Sequence, residues 1–194
     1  MSYEVKNFDR LIGTKGFSDQ LLKNHFTLYS GYVNNTNKLI DSLKKLLKEG
    51  KGETIEFSEM KRRLGWEFNG MRLHELYFEN LKNGGIKVSR GGKVFNKIVE
   101  DFGSYEEWEK EFKILGMMRG IGWIVLYYDP IANTLFNVWV NEHDSSHLVG
   151  CKPVLVMDVF EHAFISDYGL KKSEYINAFF EAIDWDVVES RFIL

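Results

Sequence analysis

The stretch Asp158-Val159-Phe160-Glu161-His162-Ala163 decides the interpretation of this chain. It follows an apolar run at 154–157, which is typical of a buried strand. The acid stands four residues before the histidine, so a strand ending in a turn or helix can direct a carboxylate oxygen and an imidazole nitrogen at one point. Those two donors suit a first-row metal ion. Taken alone, the pattern is more often a surface aspartate and a capped histidine, so the metal interpretation depends on the rest of the chain.

The composition is that of an ordinary globular protein. The 194 residues are 44% hydrophobic and 27% charged, enough for one large domain or two small ones. A net charge of −3 argues against a nucleic-acid partner, which would normally bring a strongly basic balance. The single cysteine, Cys151, cannot form an internal disulfide. The first residues lack an apolar signal region and no apolar run approaches membrane-spanning length, so we expect a cytoplasmic protein without a membrane partner.

A long helix is predicted near the start of the chain. Residues 1–17 carry little periodicity and indicate an extended arm, after which Ser18 or Asp19 offers a helix cap. From 21 to 48 the apolar residues recur at three- and four-residue steps without a proline. His25 lies on the resulting buried stripe.

Further helices complete the N-terminal half. A shorter helix is predicted at 57–64 and a second long one at 66–82, with His74 on its apolar face. The glycine-rich segment 84–92 is the best candidate for a domain boundary. We therefore predict an N-terminal domain at 1–84, built as an antiparallel two-helix hairpin.

The C-terminal half has a different pattern. It predicts an α+β domain at 92–194, with helices around a small three-stranded antiparallel sheet. The predicted helices cover 93–102, 104–118, 171–183 and 184–192, and the predicted strands cover 123–128, 134–140 and 154–157. The candidate metal site would then lie between the two domains.

Histidines on buried faces strengthen the metal interpretation. A lone histidine on an apolar helix face is usually a satisfied core residue. Two such helices, carrying His25 and His74, followed by Asp158 and His162 after a strand, are harder to attribute to chance. Three imidazoles and one carboxylate suit iron, manganese or zinc better than calcium or copper(I).

Several motifs together resemble those of a known family. They are HFTLY at 25–29, YVNNTN at 32–37, FNGMRLHELYF at 68–78, GIGW at 120–123 and DVFEHAF at 158–164. The last is similar to the signature D-V-W-E-H-A-Y, and the two helical motifs each supply a histidine. In these features the chain resembles the iron/manganese superoxide dismutases over nearly its whole length.

The resemblance implies roles for individual residues. It implies metal ligands at His25, His74, Asp158 and His162, with a solvent molecule as a fifth ligand. Tyr32 would be the gateway tyrosine. Because Gly70 supplies no side chain near the solvent, His143 would hydrogen-bond both the metal-bound solvent and Tyr32. His147 is interpreted as a surface loop histidine.

Other residues are placed around the site by the same resemblance. Tyr29, Trp123, Glu161 and Ile165 would lie around the ligands or at a dimer interface, where Glu161 would reach the ligand histidine of the partner chain. Lys172 aligns with an entrance arginine of the family and is a candidate for steering the substrate, although it is also one solvated lysine among many.

The chain departs from the family pattern near the gateway. His25 and Tyr32 are seven residues apart, one fewer than in the family, but two regular helical turns still place them on nearly the same face. Tyr29 would take the space of a gateway histidine, with Ile165 opposite it across the interface. That change predicts a more apolar channel and slower proton delivery.

The expected function is that of a superoxide dismutase. Such an enzyme converts superoxide anion to dioxygen and hydrogen peroxide at one iron or manganese ion per chain, here as a cytoplasmic antioxidant homodimer or dimer of dimers. Two alternatives stay open: a dismutase-like protein that binds metal but has weak or no activity, and a non-catalytic binding module that kept the fold. The sequence leaves the choice between iron and manganese open.

Overall fold

Two long helices form an antiparallel hairpin in the N-terminal part of the chain. The computed structural model describes residues 2–193, in which α1 spans Asp19–Lys48 and α2 spans Ile55–Glu79. The hydroxyl of Ser18 caps α1 by accepting the amide hydrogen of Leu21 at 3.0 Å. This satisfies one of the amides that a helix start leaves without a partner.

Helix α2 is a single helix, so the prediction of two helices at 57–64 and 66–82 was wrong. Gly65 lies inside it without ending it. A glycine costs about 1 kcal/mol in a helix interior, and packing against α1 outweighs that cost. The helix also ends three residues earlier than predicted, because the amide of Lys82 donates instead to the carbonyl of Ala182 at 2.8 Å.

The C-terminal part contains the sheet and the remaining helices. Two helices precede the sheet, α3 at Lys93–Phe102 and α4 at Tyr105–Gly116. The strands are β1 at Gly122–Asp129, β2 at Thr134–Asn141 and β3 at Lys152–Asp158. The helices that follow are α5 at Ile165–Tyr168, α6 at Lys172–Ala182 and α7 at Trp185–Ile193, and short 3-10 turns lie at Asp9–Leu11 and Glu161–Ala163. The predicted α+β class with a helical hairpin and a three-stranded antiparallel sheet is confirmed.

The order of the strands brings the ends of all three together. The sheet runs β2-β1-β3, with β1 antiparallel to both neighbours, so Trp123 at the start of β1 lies opposite Val140 and Asp158. Gly122 allows this approach, because its φ is +156° and a Cβ there would lie 2.1 Å from the carbonyl oxygen of Val140. The end of β3 and the loop after β2 therefore share one edge of the sheet.

The core is continuous between the sheet and the helices, and it is rich in aromatic side chains. Trp108, Trp123, Tyr77 and Phe179 are among its fully buried members. Within residues 2–193 no helix is both long and apolar enough to cross a membrane.

Candidate metal centre

Four side chains from distant parts of the chain converge on one point. His25 of α1, His74 of α2, Asp158 at the end of β3 and His162 in the following 3-10 turn each offer one donor atom, and these atoms lie within 4.8 Å of one another. The Oδ2 atom of Asp158 is 3.1 Å from Nε2 of His25, 3.1 Å from Nε2 of His162 and 3.7 Å from Nε2 of His74. His25, His74 and Asp158 are buried, and the side chain of His162 is 27% exposed.

The orientation of His74 is fixed by its own helix. Its Nδ1 lies 2.6 Å from the carbonyl oxygen of Gly70, which can only accept, so Nδ1 carries the proton. The lone pair is then on Nε2, which is buried and has no hydrogen-bond partner among residues 2–193. A buried nitrogen without a partner is costly, and a metal ion in the cluster would remove that cost.

The carboxylate of Asp158 is held ionised by the imidazoles around it. Burial by itself would raise its pKa, but the attraction and hydrogen bonds of His162 and His25 outweigh burial and lower the pKa below the usual range. Its second oxygen accepts the amide hydrogen of Phe160 at 2.8 Å, and its backbone carbonyl accepts the hydroxyl of Tyr175 at 2.6 Å. The side chain is thus both charged and fixed in direction.

This donor set fits a single transition-metal ion. Three imidazoles and one carboxylate are arranged around one point, and the lone pair of His74 is directed there with no other partner in the described part of the chain, residues 2–193. Neutral imidazole and carboxylate together favour iron, manganese or zinc over hard or thiophilic ions. The residues present can therefore hold one such ion.

Lowering the pH is expected to destabilise the metal-free protein. Burial lowers the pKa of His25, His74 and His143, that of His143 to about 4. Below about pH 6.5 the unfolded chain therefore binds more protons than the folded one, and the free energy of unfolding falls. For His143 alone the loss reaches roughly 3 kcal/mol by pH 4. Urea unfolding between about pH 7 and pH 4.5 measures this, and a flat profile would contradict it.

Next to the cluster, Tyr32 and His143 form a hydrogen-bonded pair. The hydroxyl oxygen of Tyr32 lies 2.8 Å from Nε2 of His143, and the Tyr32 ring stacks on His74 with centroids 5.1 Å apart. The indole N–H of Trp123 donates to Nδ1 of His143 at 3.0 Å. Because an indole can only donate, Nδ1 is the acceptor and the single proton of the neutral ring is on Nε2, directed at Tyr32.

The approach of Tyr32 requires a glycine on the facing helix. A Cβ at Gly70 would lie 2.6 Å from the Tyr32 ring. Burial raises the pKa of the Tyr32 hydroxyl, and the charge of Asp158 acts in the same direction. Tyr32 therefore keeps its proton at neutral pH, beside the candidate metal position.

The structure corrects the expectation for Tyr29. Its side chain is fully buried and its hydroxyl donates to the Glu75 carboxylate at 3.0 Å while accepting the amide hydrogen of Lys6 at 3.1 Å. A residue without exposed surface cannot face a partner chain, so Tyr29 does not lie opposite Ile165 across an interface. Burial raises its pKa to about 12. From helix α1 this hydroxyl points toward the N-terminal arm, where Lys6 contacts it.

Three other residues predicted from the sequence, Glu161, Ile165 and Lys172, are exposed or half-buried. Glu161 is exposed beside His162, and Ile165 at the start of α5 is 44% exposed. The ammonium group of Lys172 donates to the carbonyl of Met118 at 3.2 Å and is half-buried. Burial lowers its pKa, and the negative charge of Asp158 opposes that effect.

Three residues around His143 were not predicted to belong to the site. The Trp66 ring centroid lies 4.4 Å from that of His143, and its indole N–H donates to Glu142 at 3.1 Å. His147, interpreted as a surface residue, is instead half-buried, with Nε2 2.8 Å from the carbonyl oxygen of His143. In the sequence, the only indication of this contact was the spacing of four residues between His143 and His147. That spacing does not predict a contact unless the conformation of the loop is known.

Two segments of the chain match domains of one protein family. Residues 15–82 match the domain described as "Iron/manganese superoxide dismutases, alpha-hairpin domain", and residues 90–191 match "Iron/manganese superoxide dismutases, C-terminal domain". Together the matched segments include all four cluster residues, as well as Tyr32 and His143.

Individual proteins are similar to the chain over most of its length. It is 39% identical over 174 residues to a protein of Haloarcula marismortui named superoxide dismutase (Mn), covering 87% of this chain and 82% of that one. It is 36% identical over 197 residues to superoxide dismutase (Mn) 2 of Haloferax volcanii, covering 99% and 96%. It is 35% identical over 180 residues to superoxide dismutase (Fe) of Cupriavidus metallidurans, covering 91% and 89%.

Proposed function

The chain belongs to the iron/manganese superoxide dismutase family, and on that premise we propose that it converts superoxide to dioxygen and hydrogen peroxide at one iron or manganese ion. We propose that the ligands of that ion are His25, His74, Asp158 and His162. The observation that carries the proposal is the convergence of these four donors, with the buried Nε2 of His74 lacking any other partner among residues 2–193.

The reaction needs an electron carrier and two protons. A bound iron or manganese ion would supply one-electron chemistry in both directions, since one superoxide is oxidised and another reduced. The protein residues hold the protons: Nε2–H of His143 donates to the Tyr32 oxygen, so the Tyr32 hydroxyl hydrogen is free to point toward the substrate side. Because its pKa is raised, Tyr32 acts as a hydrogen-bond donor and not as an anion that would repel superoxide.

Superoxide is an anion, whereas the chain carries a net charge of −3, so local positive charge has to guide it to the site. We propose Lys172 for this role. The negative charge of Asp158 acts on the pKa of Lys172 in the raising direction, against the larger lowering effect of burial, which supports this role. Its ammonium group is held by the Met118 carbonyl and lies 5.8 Å from the ring centroids of Trp139 and Phe164.

The function is tested by the rate of superoxide loss per bound metal ion. Protein loaded with iron and protein loaded with manganese are each assayed after elemental analysis. We expect at least one form to disproportionate superoxide far faster than the free ion at equal concentration. Stoichiometric binding without such a rate in either form would instead support a dismutase-like protein that only binds metal.

We also propose a homodimer in which Glu161 contacts His162 of the partner subunit. Nε2 of His162 is directed at the cluster, which leaves Nδ1 for an acceptor beyond it, and metal-binding histidines usually have such an acceptor. The side chain of His162 is 27% exposed, and Glu161 beside it is exposed. A two-fold axis would bring each glutamate to the other subunit's imidazole.

Replacing Glu161 with alanine is expected to weaken this dimer at least about tenfold, because the His162 imidazole of the partner subunit would lose its charged acceptor. Sedimentation of metal-loaded protein at micromolar concentration measures the change. Glu181→Ala, which removes an exposed carboxylate on α6, serves as the control and should sediment like the parent. A parent that sediments as a monomer with metal bound would refute the dimer.

The two-domain division at 1–84 and 92–194 and the cytoplasmic location also remain proposals. The family matches end at 82 and resume at 90, which supports a boundary in the glycine-rich segment. The single cysteine, with no second thiol for an internal disulfide, is consistent with a reducing compartment and an antioxidant role there.

A further inference from the structure

The loop that carries His143 has an unusual backbone. Glu142 and Ser146 adopt positive φ values of 50° and 75°, although neither is a glycine. Such conformations cost free energy and persist only where surrounding contacts enforce them. Asn141 and Ser145 close the loop through two backbone hydrogen bonds of 3.1 and 3.3 Å. His143 therefore lies in a short, strained turn whose shape requires support from outside.

His147 provides that support from the sheet. Its Nε2 lies 2.8 Å from the carbonyl oxygen of His143, which can only accept, so Nε2 carries a proton. In the neutral ring Nδ1 is then an acceptor, and the Tyr127 hydroxyl lies 2.7 Å from it. Tyr127 belongs to β1 and is 4% exposed. The backbone of His143 is thus connected through one imidazole to a buried strand.

Trp66 supports the same turn from helix α2. Its indole N–H holds the Glu142 carboxylate at 3.1 Å, and its ring packs edge-on against the His143 ring. The turn is therefore held from the sheet and from the helical hairpin.

The position of His143 matters because it has a single hydrogen to donate. Its Nδ1 is occupied by the Trp123 indole, so its one N–H has to be aimed at the Tyr32 oxygen. A side-chain amide would have two N–H groups and could tolerate a displacement, whereas an imidazole cannot. A shift of the turn would break one of these two bonds.

We propose that His147 is a positioning residue that holds His143 in line with Trp123 and Tyr32. It acts through the backbone carbonyl of His143 and does not touch the reacting atoms. The kinetic part of this inference rests on the proposed function, whereas the structural part does not.

The kinetic test compares His147→Phe with His147→Gln in metal-loaded protein. The phenyl ring fills the space but removes both nitrogens, and we expect kcat per bound metal to fall about tenfold with a displaced pH profile. We expect kcat/KM to fall less, because entry of superoxide does not involve His147. Glutamine keeps an N–H near the position of Nε2 and should restore most of the loss. Val149→Ala, at a fully exposed position in the same connection, is the control.

The structural test follows the indole N–H resonance of Trp123 by NMR in the full-length metal-free chain. We expect His147→Phe to shift it in the direction produced by His143→Leu, and His147→Gln to return it toward the parent position.

Should His147→Phe fail to fold, Tyr127→Phe removes only the hydroxyl at Nδ1 and should give smaller changes of the same sign. An unmoved resonance and an unchanged pH profile in the phenylalanine variant, or a glutamine variant as impaired as it, would overturn the proposal. A parent protein that lacks dismutase activity would refute the proposed function, while the resonance would still decide the role of His147.

Discussion

Replacing His74 with alanine is expected to lower the metal affinity at least about 100-fold, since losing even an outer hydrogen-bond partner of a ligand costs about 10- to 100-fold. Its Nε2 is the one buried cluster nitrogen with no hydrogen-bond partner among residues 2–193, so its lone pair serves no other contact there. Dismutation should disappear together with the metal. Elemental analysis after dialysis and a competition titration with a chelator measure the loss.

The control for this experiment is Leu73→Ala on the same helix. Leu73 is 4% exposed, so its truncation also leaves a cavity and lowers the stability of the fold, by roughly 2–5 kcal/mol. It removes no donor, and the variant should bind one metal ion with nearly the parent affinity. If His74→Ala retained full occupancy and parent affinity, the proposed ligand set would be wrong.

Replacing His143 with leucine is expected to lower kcat per bound metal about 100-fold, within the range of a lost acid–base group. Leucine fills similar space but leaves the Trp123 N–H and the Tyr32 oxygen without the nitrogen atoms that they contact at 3.0 and 2.8 Å. His143 is not among the four converging donors, so the metal content should stay at the parent level. Stopped-flow measurement of superoxide decay, divided by metal content, gives the rate.

Two companion variants separate the contributions within the pair. Tyr32→Phe keeps the ring that stacks on His74 and removes only the hydroxyl, so we expect a smaller loss of kcat and a changed pH dependence. His143→Gln can accept from Trp123 through its oxygen and donate through its nitrogen, and should retain more activity than His143→Leu. Equal rates per metal in the leucine variant and the parent would show that His143 has no part in turnover.

Local sequence patterns determined the elements that carry the site. The three- and four-residue spacing of apolar residues predicted α1 and placed His25 on its buried face, and Ser18, one of the two predicted caps, caps that helix. The apolar run before Asp158 predicted β3. These features are local: periodicity, caps and strand composition depend on neighbours within a few residues, and they can be read directly from the chain.

The break predicted before Trp66 shows where local reading fails. Gly65 lies between the two predicted helices and weakens a helix by about 1 kcal/mol. Packing of α2 along α1 outweighs that amount, and the packing joins residues far apart in sequence. The burial of Tyr29 has the same origin, because the direction of its hydroxyl depends on Glu75 of the facing helix.

The sequence by itself therefore determined the fold class, the four converging donors and, through its motifs, the family. Tertiary structure alone decided how His143 is held. The contacts of the surrounding turn join Trp66 to Glu142 across 76 positions and Tyr32 to His143 across 111. The role of His147 depends further on positive φ values at Glu142 and Ser146, residue types that rarely adopt them. Local sequence patterns reflect the conformation that each residue prefers by itself. This turn exists because side chains distant in sequence stabilise a conformation that its own residues disfavour.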